Sequence, residues 1–170
     1  MVEFFTRISE LPFWSKFANL HGLLGMISLI LFGGAICLYF LTDRVKSSVS
    51  WLRKVLLILF LDLVFLDLAG LLVYMPYRAV GGPRDTLLSF PDTAWLHKIV
   101  FEHKEFLAFA PPILIFCALF IVFKLGSSFS DSDKNRFLRY ATLAAIIFSL
   151  LFVLMVAGEA VLVTKAAEVY

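Results

Sequence analysis

The sequence predicts an all-α integral membrane protein, a bundle of four transmembrane helices that run up, down, up and down. Three observations predict it: four long apolar stretches, a composition that water cannot solvate, and polar connections between the stretches. The stretches lie at about 17–41, 55–77, 106–125 and 140–163. Each has roughly the 20 residues that a helix needs to cross a hydrocarbon core of about 30 Å. The 170 residues therefore form a single membrane domain.

Composition excludes a soluble domain. Hydrophobic residues make up 61% of the chain, the mean hydropathy is +0.93, and only 16% of residues are charged. Soluble domains carry about 25% charged residues. A net charge of +2 without a run of Lys and Arg argues against a nucleic-acid partner. The lipid bilayer is the environment that this composition requires.

The first ten residues predict a short amphipathic segment that lies along the membrane interface. Phe4, Phe5 and Ile8 recur at helical spacing among polar residues. The segment has no basic start followed by an apolar stretch, so it is not expected to be a signal peptide.

The connections differ in length and charge. Those at 42–54 and 126–139 are short and basic, whereas the one at 78–105 is long and mixes both signs. The two short connections and their borders hold just over half of the 15 Lys and Arg residues. The positive-inside rule then predicts short loops in the cytoplasm and both termini outside, in a multi-pass protein of the plasma membrane.

Ionisable residues gather near the end of the bundle that carries the termini. His21, His103 and Glu159 each lie roughly 30 Å from the opposite ends of their helices at 1.5 Å per residue. The two histidines stand on the first and third helices, which run parallel and can face each other across a bundle core. Ligation of one b-type haem by His21 and His103 is the sharpest hypothesis that this pattern offers.

A short motif points the same way. The run Leu20–Met26, in which Gly22 follows His21, resembles the His-Gly-containing helix of transmembrane b-type cytochromes of the ferric-reductase kind. That resemblance implies haem ligation by His21 and covers only this part of the first helix. Those cytochromes carry more histidines, on both sides of the membrane, whereas the second span here has none.

A non-haem metal ion is the alternative cofactor. The same two histidines with Glu102 and Glu159 form a His/carboxylate set suited to iron, copper or zinc. His97 lies six residues before His103, about 240° around a helix, so we expect it in the loop rather than in this set.

Two acidic residues interrupt the second span. Asp62 and Asp67 are costly in hydrocarbon, and such residues mark ion or proton pathways. Five residues apart, they point about 140° away from each other, so one is expected to face inward and the other an adjoining subunit. The alternative at each site is a protonated carboxyl group that hydrogen-bonds to a neighbouring helix.

Two consecutive prolines, Pro111 and Pro112, lie inside the third span. Each removes a backbone donor and clashes with the carbonyl four residues earlier, so a bend is expected near Leu107 and Ala108.

Two functions fit these features. In the first, the chain is an electron-transfer subunit that holds one haem b or metal ion and exchanges electrons with quinol or an external donor, while Asp67 or Glu159 takes protons. In the second, it is a structural subunit of a larger membrane complex without a cofactor, and residues 78–105 form its docking surface. Proton or ion conduction through Asp62 and Asp67 is a weaker third, because transporters usually show internal repeats. Whether the chain is an enzyme stays open; if it has redox activity, we expect an electron-transfer subunit and not a stand-alone enzyme.

Overall fold

The computed structural model describes residues 12–45 and 47–169, except for the side chains of 132, 168 and 169. Within these residues the secondary structure is helical, and four helices are long and apolar enough to cross a membrane. The predicted four-helix membrane bundle is therefore confirmed. The predicted amphipathic segment over residues 1–10 lies outside the described residues.

The helices of three of the four spans are longer than the apolar stretches that predict them. Their bounds are α1 Phe13–Leu41, α2 Ser48–Tyr77, α3 Pro83–Ser89, a π-helical turn Leu96–Phe101, α4 Glu102–Ala108, α5 Ala110–Leu125, a 3₁₀ turn Gly126–Ser130 and α6 Ser132–Val169. The spans predicted to end at Leu41, Tyr77 and Leu125 do end there. α1, α2 and α6 begin earlier than predicted, whereas α5 begins at Ala110, four residues after the predicted start of the third span. At 29 and 30 residues, α1 and α2 are each roughly 45 Å long.

The helices pack in a closed order. α1 packs on α2, α2 on α5, α5 on α6, and α6 returns to α1. The start of α1, the end of α6 and residues 78–101 therefore lie at one end, the terminal end. Residues 42–45, 47 and 126–130 lie at the other, the short-loop end. Midway, each helix contributes a fully buried apolar side chain to the core: Phe32, Leu59, Ile115 and Ile146.

The connection at 78–105, expected as a long loop, is largely helical. It holds α3, which begins at Pro83, and the π-helical turn that leads into α4. Proline suits the first position of a helix because that backbone N–H has no partner within the helix. The connection packs against the last turns of α6 through Leu87 and Val163.

The double proline interrupts the third span where the sequence predicts a bend. α4 ends at Ala108, α5 begins at Ala110, and both prolines lie in the first turn of α5. The Ser149 hydroxyl of α6 donates a hydrogen bond to the Pro111 carbonyl oxygen over 3.1 Å. The bend is therefore fixed against α6 by a buried polar contact.

Arg139, expected as a cation of a short loop, is instead buried within α6 and only 5% exposed. Its guanidinium forms an ion pair with Asp43 at 2.5 Å and donates to the Phe129 carbonyl oxygen at 3.0 Å. The Tyr39 hydroxyl donates to the Arg139 carbonyl oxygen, also at 3.0 Å. One residue thus ties α6 to α1 and to the 3₁₀ turn at the short-loop end.

Replacement of Arg139 by Met should lower the free energy of unfolding by about 2 kcal/mol, because it removes the ion pair with the half-exposed Asp43 and leaves the Phe129 carbonyl without its donor. Arg136→Met is the matched control, since Arg136 is exposed three residues earlier in the same helix. Thermal unfolding in detergent measures both. Equal melting temperatures for the two variants would contradict this account of Arg139.

Candidate functional site at the terminal end

His21 lies on the inward face of α1 and binds the backbone of α2. Its Nδ1 is 3.0 Å from the Leu66 carbonyl oxygen. A carbonyl oxygen only accepts, so Nδ1 carries the hydrogen and Nε2 keeps a free lone pair. Gly70 makes room for the ring: a β-carbon there would lie 3.2 Å from His21 Cε1. A small residue on α2 therefore positions the imidazole.

His103 belongs to the other helix pair. Its Nδ1 lies 2.8 Å from Glu159 Oε1, so α4 and α6 are joined at the terminal end. The side chain of His103 is 49% exposed and that of Glu159 is 18% exposed. The second carboxylate oxygen, Oε2 of Glu159, is buried and has no hydrogen-bond partner in the described part of the chain.

The predicted ligands are therefore brought together only in part. His103 and Glu159 meet, whereas His21 hydrogen-bonds to a different helix and Glu102 is exposed. Among residues 12–45 and 47–169, no group of three or more His, Cys, Asp and Glu side chains is placed to hold a metal ion. Lys104 lies within electrostatic range of both His21 and Glu159, and its positive charge opposes a bound cation.

A cluster that the sequence analysis missed lies beside these histidines. His97, expected in a loop, is buried in the π-helical turn, and its Nδ1 lies 3.0 Å from the Tyr77 hydroxyl. Phe101 stacks on Tyr77 with ring centroids 4.0 Å apart and on Tyr74 with centroids 5.7 Å apart. Residue spacing could have indicated this cluster, because Tyr74 and Tyr77 share one face of a helix, and so do His97 and Phe101.

The π-helical turn explains the position of His97. Its backbone hydrogen bonds join residues i and i+5 instead of i and i+4, which widens the helix locally. Such π-helical turns are frequent at functional sites. His97 and Phe101 both lie against the end of α2 as a result. Arg78, Arg84, Glu102 and Glu105 all lie within electrostatic range of His97, so charges of both signs border the cluster.

Asp62 is satisfied within the bundle. Its carboxyl group is 2.5 Å from the Ser28 hydroxyl, which is also 3.1 Å from the Leu24 carbonyl oxygen. The hydroxyl has one hydrogen and the carbonyl can only accept. The single hydrogen of the Ser28 hydroxyl is therefore shared between the Asp62 carboxyl group and the Leu24 carbonyl oxygen. Asp62 contacts a neighbouring helix, and its protonation stays a prediction.

Asp67 differs from Asp62 in its surroundings. It is partly buried on α2, and no hydrogen bond or ion pair joins it to any described residue. The two carboxyl groups thus have separate environments. Asp67 is the one that the bundle leaves without a partner in the described part of the chain.

Comparison with protein-family models, with curated proteins and with solved structures found no match. The site is therefore interpreted from its own geometry. It offers the His21 imidazole held by a backbone carbonyl, the His103–Glu159 pair, a Tyr–His hydrogen bond within an aromatic stack, and one carboxyl group without a partner among the described residues. These groups can bind a ligand atom, orient a proton or contact another membrane helix.

The fit between Gly70 and His21 gives a direct test. Gly70→Ala should displace the imidazole and break its bond to Leu66, with a loss of about 1 kcal/mol of stability and a shift in the His21 ring resonances. Gly158→Ala is the matched control, because nothing lies within 4 Å of a β-carbon at that position. Thermal unfolding and nitrogen NMR of labelled histidine measure the two effects. Unchanged His21 resonances in Gly70→Ala would refute the contact.

Proposed function

We propose that the chain is an accessory subunit of a larger membrane complex and that Asp67 contacts a neighbouring chain. The observation that carries this proposal is the carboxyl group of Asp67, placed within a membrane-spanning helix without a partner among the described residues. Acidic side chains within spans almost always face a bundle interior or a partner.

Energetics support a partner outside this chain. An Asp at the centre of an isolated membrane helix costs about 2.5–3.5 kcal/mol on insertion scales. The bundle offsets that cost at Asp62 through Ser28, and it offers no such group at Asp67. A hydrogen-bond donor or a cation on an adjoining helix supplies the missing contact. Residues 78–105 form the accompanying docking surface in this proposal.

We place this complex in the plasma membrane, with both termini outside. The argument is the density of Lys and Arg in the two short loops, which favours their retention in the cytoplasm.

The test compares two substitutions of the same kind in one helix. The tagged chain is extracted from its native membrane in mild detergent, and the mass of the particle is measured by light scattering during gel filtration. Asp67→Leu should reduce the particle to the mass of the single chain without lowering its melting temperature, because only the contact to the partner is lost.

Asp62→Leu is the matched control. It removes the contact to Ser28, so it should lower the melting temperature by several degrees and leave the associated mass unchanged. A particle of unchanged mass in Asp67→Leu, or wild-type protein that already has the mass of one chain, would overturn the proposal.

A second candidate is an electron-transfer subunit with a b-type haem or a non-haem metal ion at His21 and His103. One observation favours it: each histidine holds its Nδ1 on an oxygen atom, a carbonyl for His21 and a carboxylate for His103. Metal-ligating histidines show this pattern, which leaves Nε2 free to bind. The bound group would supply one-electron chemistry, with quinol as a donor and Asp67 or Glu159 as proton acceptors.

An optical spectrum of the purified complex tests the second candidate. A reduced-minus-oxidised haem signal, or a bound metal by elemental analysis, should disappear in both His21→Ala and His103→Ala. His97→Ala should keep it, since His97 is bound to Tyr77 instead. Wild-type protein with neither a chromophore nor a metal would eliminate this candidate.

A further inference from the structure

We infer that an anionic phospholipid binds at the short-loop end of the groove between α2 and α5, with its phosphate between Arg53 and Lys124. This site is separate from the terminal-end cluster and from Asp67. It requires neither a partner chain nor a cofactor.

Arg53 is the main evidence for this site, because no described residue supplies a counter-charge or a hydrogen-bond acceptor for its guanidinium. The residue is partly buried on α2, and its Nε is fully buried without a hydrogen-bond partner. Within the described residues, no hydrogen bond joins its guanidinium to another group, and no acidic side chain lies within 4.0 Å of it. A partly buried cation at a membrane boundary is stable only with a counter-charge or with water.

The neighbouring chain segment holds the guanidinium in place. Its Cζ lies 5.6 Å from the centroid of the Phe123 ring, so the cation stands over an aromatic face. Its Nη2 is next to Gly126, where an added β-carbon would lie 3.3 Å away. Gly126 also has a φ of +59°, which favours glycine at the end of α5. Both the close approach of the guanidinium and the positive φ therefore depend on glycine at position 126.

Lys124 supplies the second cation on the facing helix. It is exposed in the last turn of α5, and its Nζ lies 5.5 Å from the centroid of the Phe120 ring. Phe120 and Phe123 are three residues apart and share one face of α5. Arg53 and Lys124 therefore flank two adjacent rings. No acidic side chain in the described part of the chain pairs with Lys124.

Below these cations the surface between α2 and α5 is apolar and suits an acyl chain. We call this surface, formed by Phe60, Phe116, Phe120 and Phe123, the phenylalanine groove. Phe116 continues the aromatic face of α5 towards the membrane centre, and its ring packs 5.6 Å from that of Phe60 on α2. Phe116, Phe120 and Phe123 are each about half exposed. Cations above an apolar groove match a phospholipid, which carries its phosphate above its acyl chains. Basic pockets between membrane helices bind anionic headgroups in this way.

The full-length chain in detergent is titrated with phosphatidylglycerol and, separately, with phosphatidylcholine. Native mass spectrometry counts bound lipids, and the melting temperature reports stabilisation. Phosphatidylglycerol should bind and raise the melting temperature. Inorganic phosphate should do neither, because it cannot occupy the phenylalanine groove. Stabilisation by phosphate equal to that by phosphatidylglycerol would show an anion site without lipid specificity and would overturn the inference.

Arg53→Gln and Lys124→Gln should each weaken phosphatidylglycerol binding about fivefold, since one cation near an anionic surface contributes on the order of 1 kcal/mol. Lys54→Gln is the matched control, with the same loss of charge on the same helix, because Lys54 lies over Trp51 instead. Equal weakening in all three variants would show a diffuse charge effect and would refute the site. If Arg53→Gln fails to fold, the affinity of Lys124→Gln for phosphatidylglycerol tests the site by itself.

Discussion

Hydrocarbon offers no hydrogen bonds, so each polar group inside the spans must find its partner within the protein. α1 shows the consequence most directly. His21, Ser28 and Tyr39 lie on one face of this helix, because their spacings are close to whole numbers of turns. Each meets a different partner: the Leu66 carbonyl oxygen, Asp62 and the Arg139 carbonyl oxygen. A rotation of α1 would break all three contacts, so the polar groups fix the orientation of an otherwise apolar helix.

The two ends of the bundle use polar residues in different ways. At the short-loop end, Asp43 and Phe129 satisfy Arg139, whereas the buried Nε of Arg53 has no partner among the described residues. At the terminal end, His103 and Glu159 are partly exposed and one carboxylate oxygen is left without a partner in the described residues. A satisfied polar network contributes stability, whereas an unsatisfied group is available for chemistry or contact. The candidate site is assigned to the terminal end because His21, His103 and Glu159 lie there.

Asp67 and Arg53 extend the same reasoning to the outside of the bundle. Both carry polar groups that no described side chain satisfies, and they lie at different depths. Asp67 lies within a span, and the proposed function gives it a partner on another membrane helix. Arg53 lies near the start of α2, at the short-loop end, where the phosphate groups of the bilayer are close. Depth in the membrane therefore decides which kind of partner each one fits.

The sequence alone determined the architecture, because each helix satisfies its own backbone and needs about 20 apolar residues to cross the bilayer. The ends at Leu41, Tyr77 and Leu125 and the break before Pro111 followed from local rules of this kind. Tertiary structure decided which polar groups meet. Arg139 and His97 looked like loop residues, since a charged or polar side chain beside a span is normally solvated. Their burial depends on partners more than 15 residues away in the chain, which no local pattern specifies.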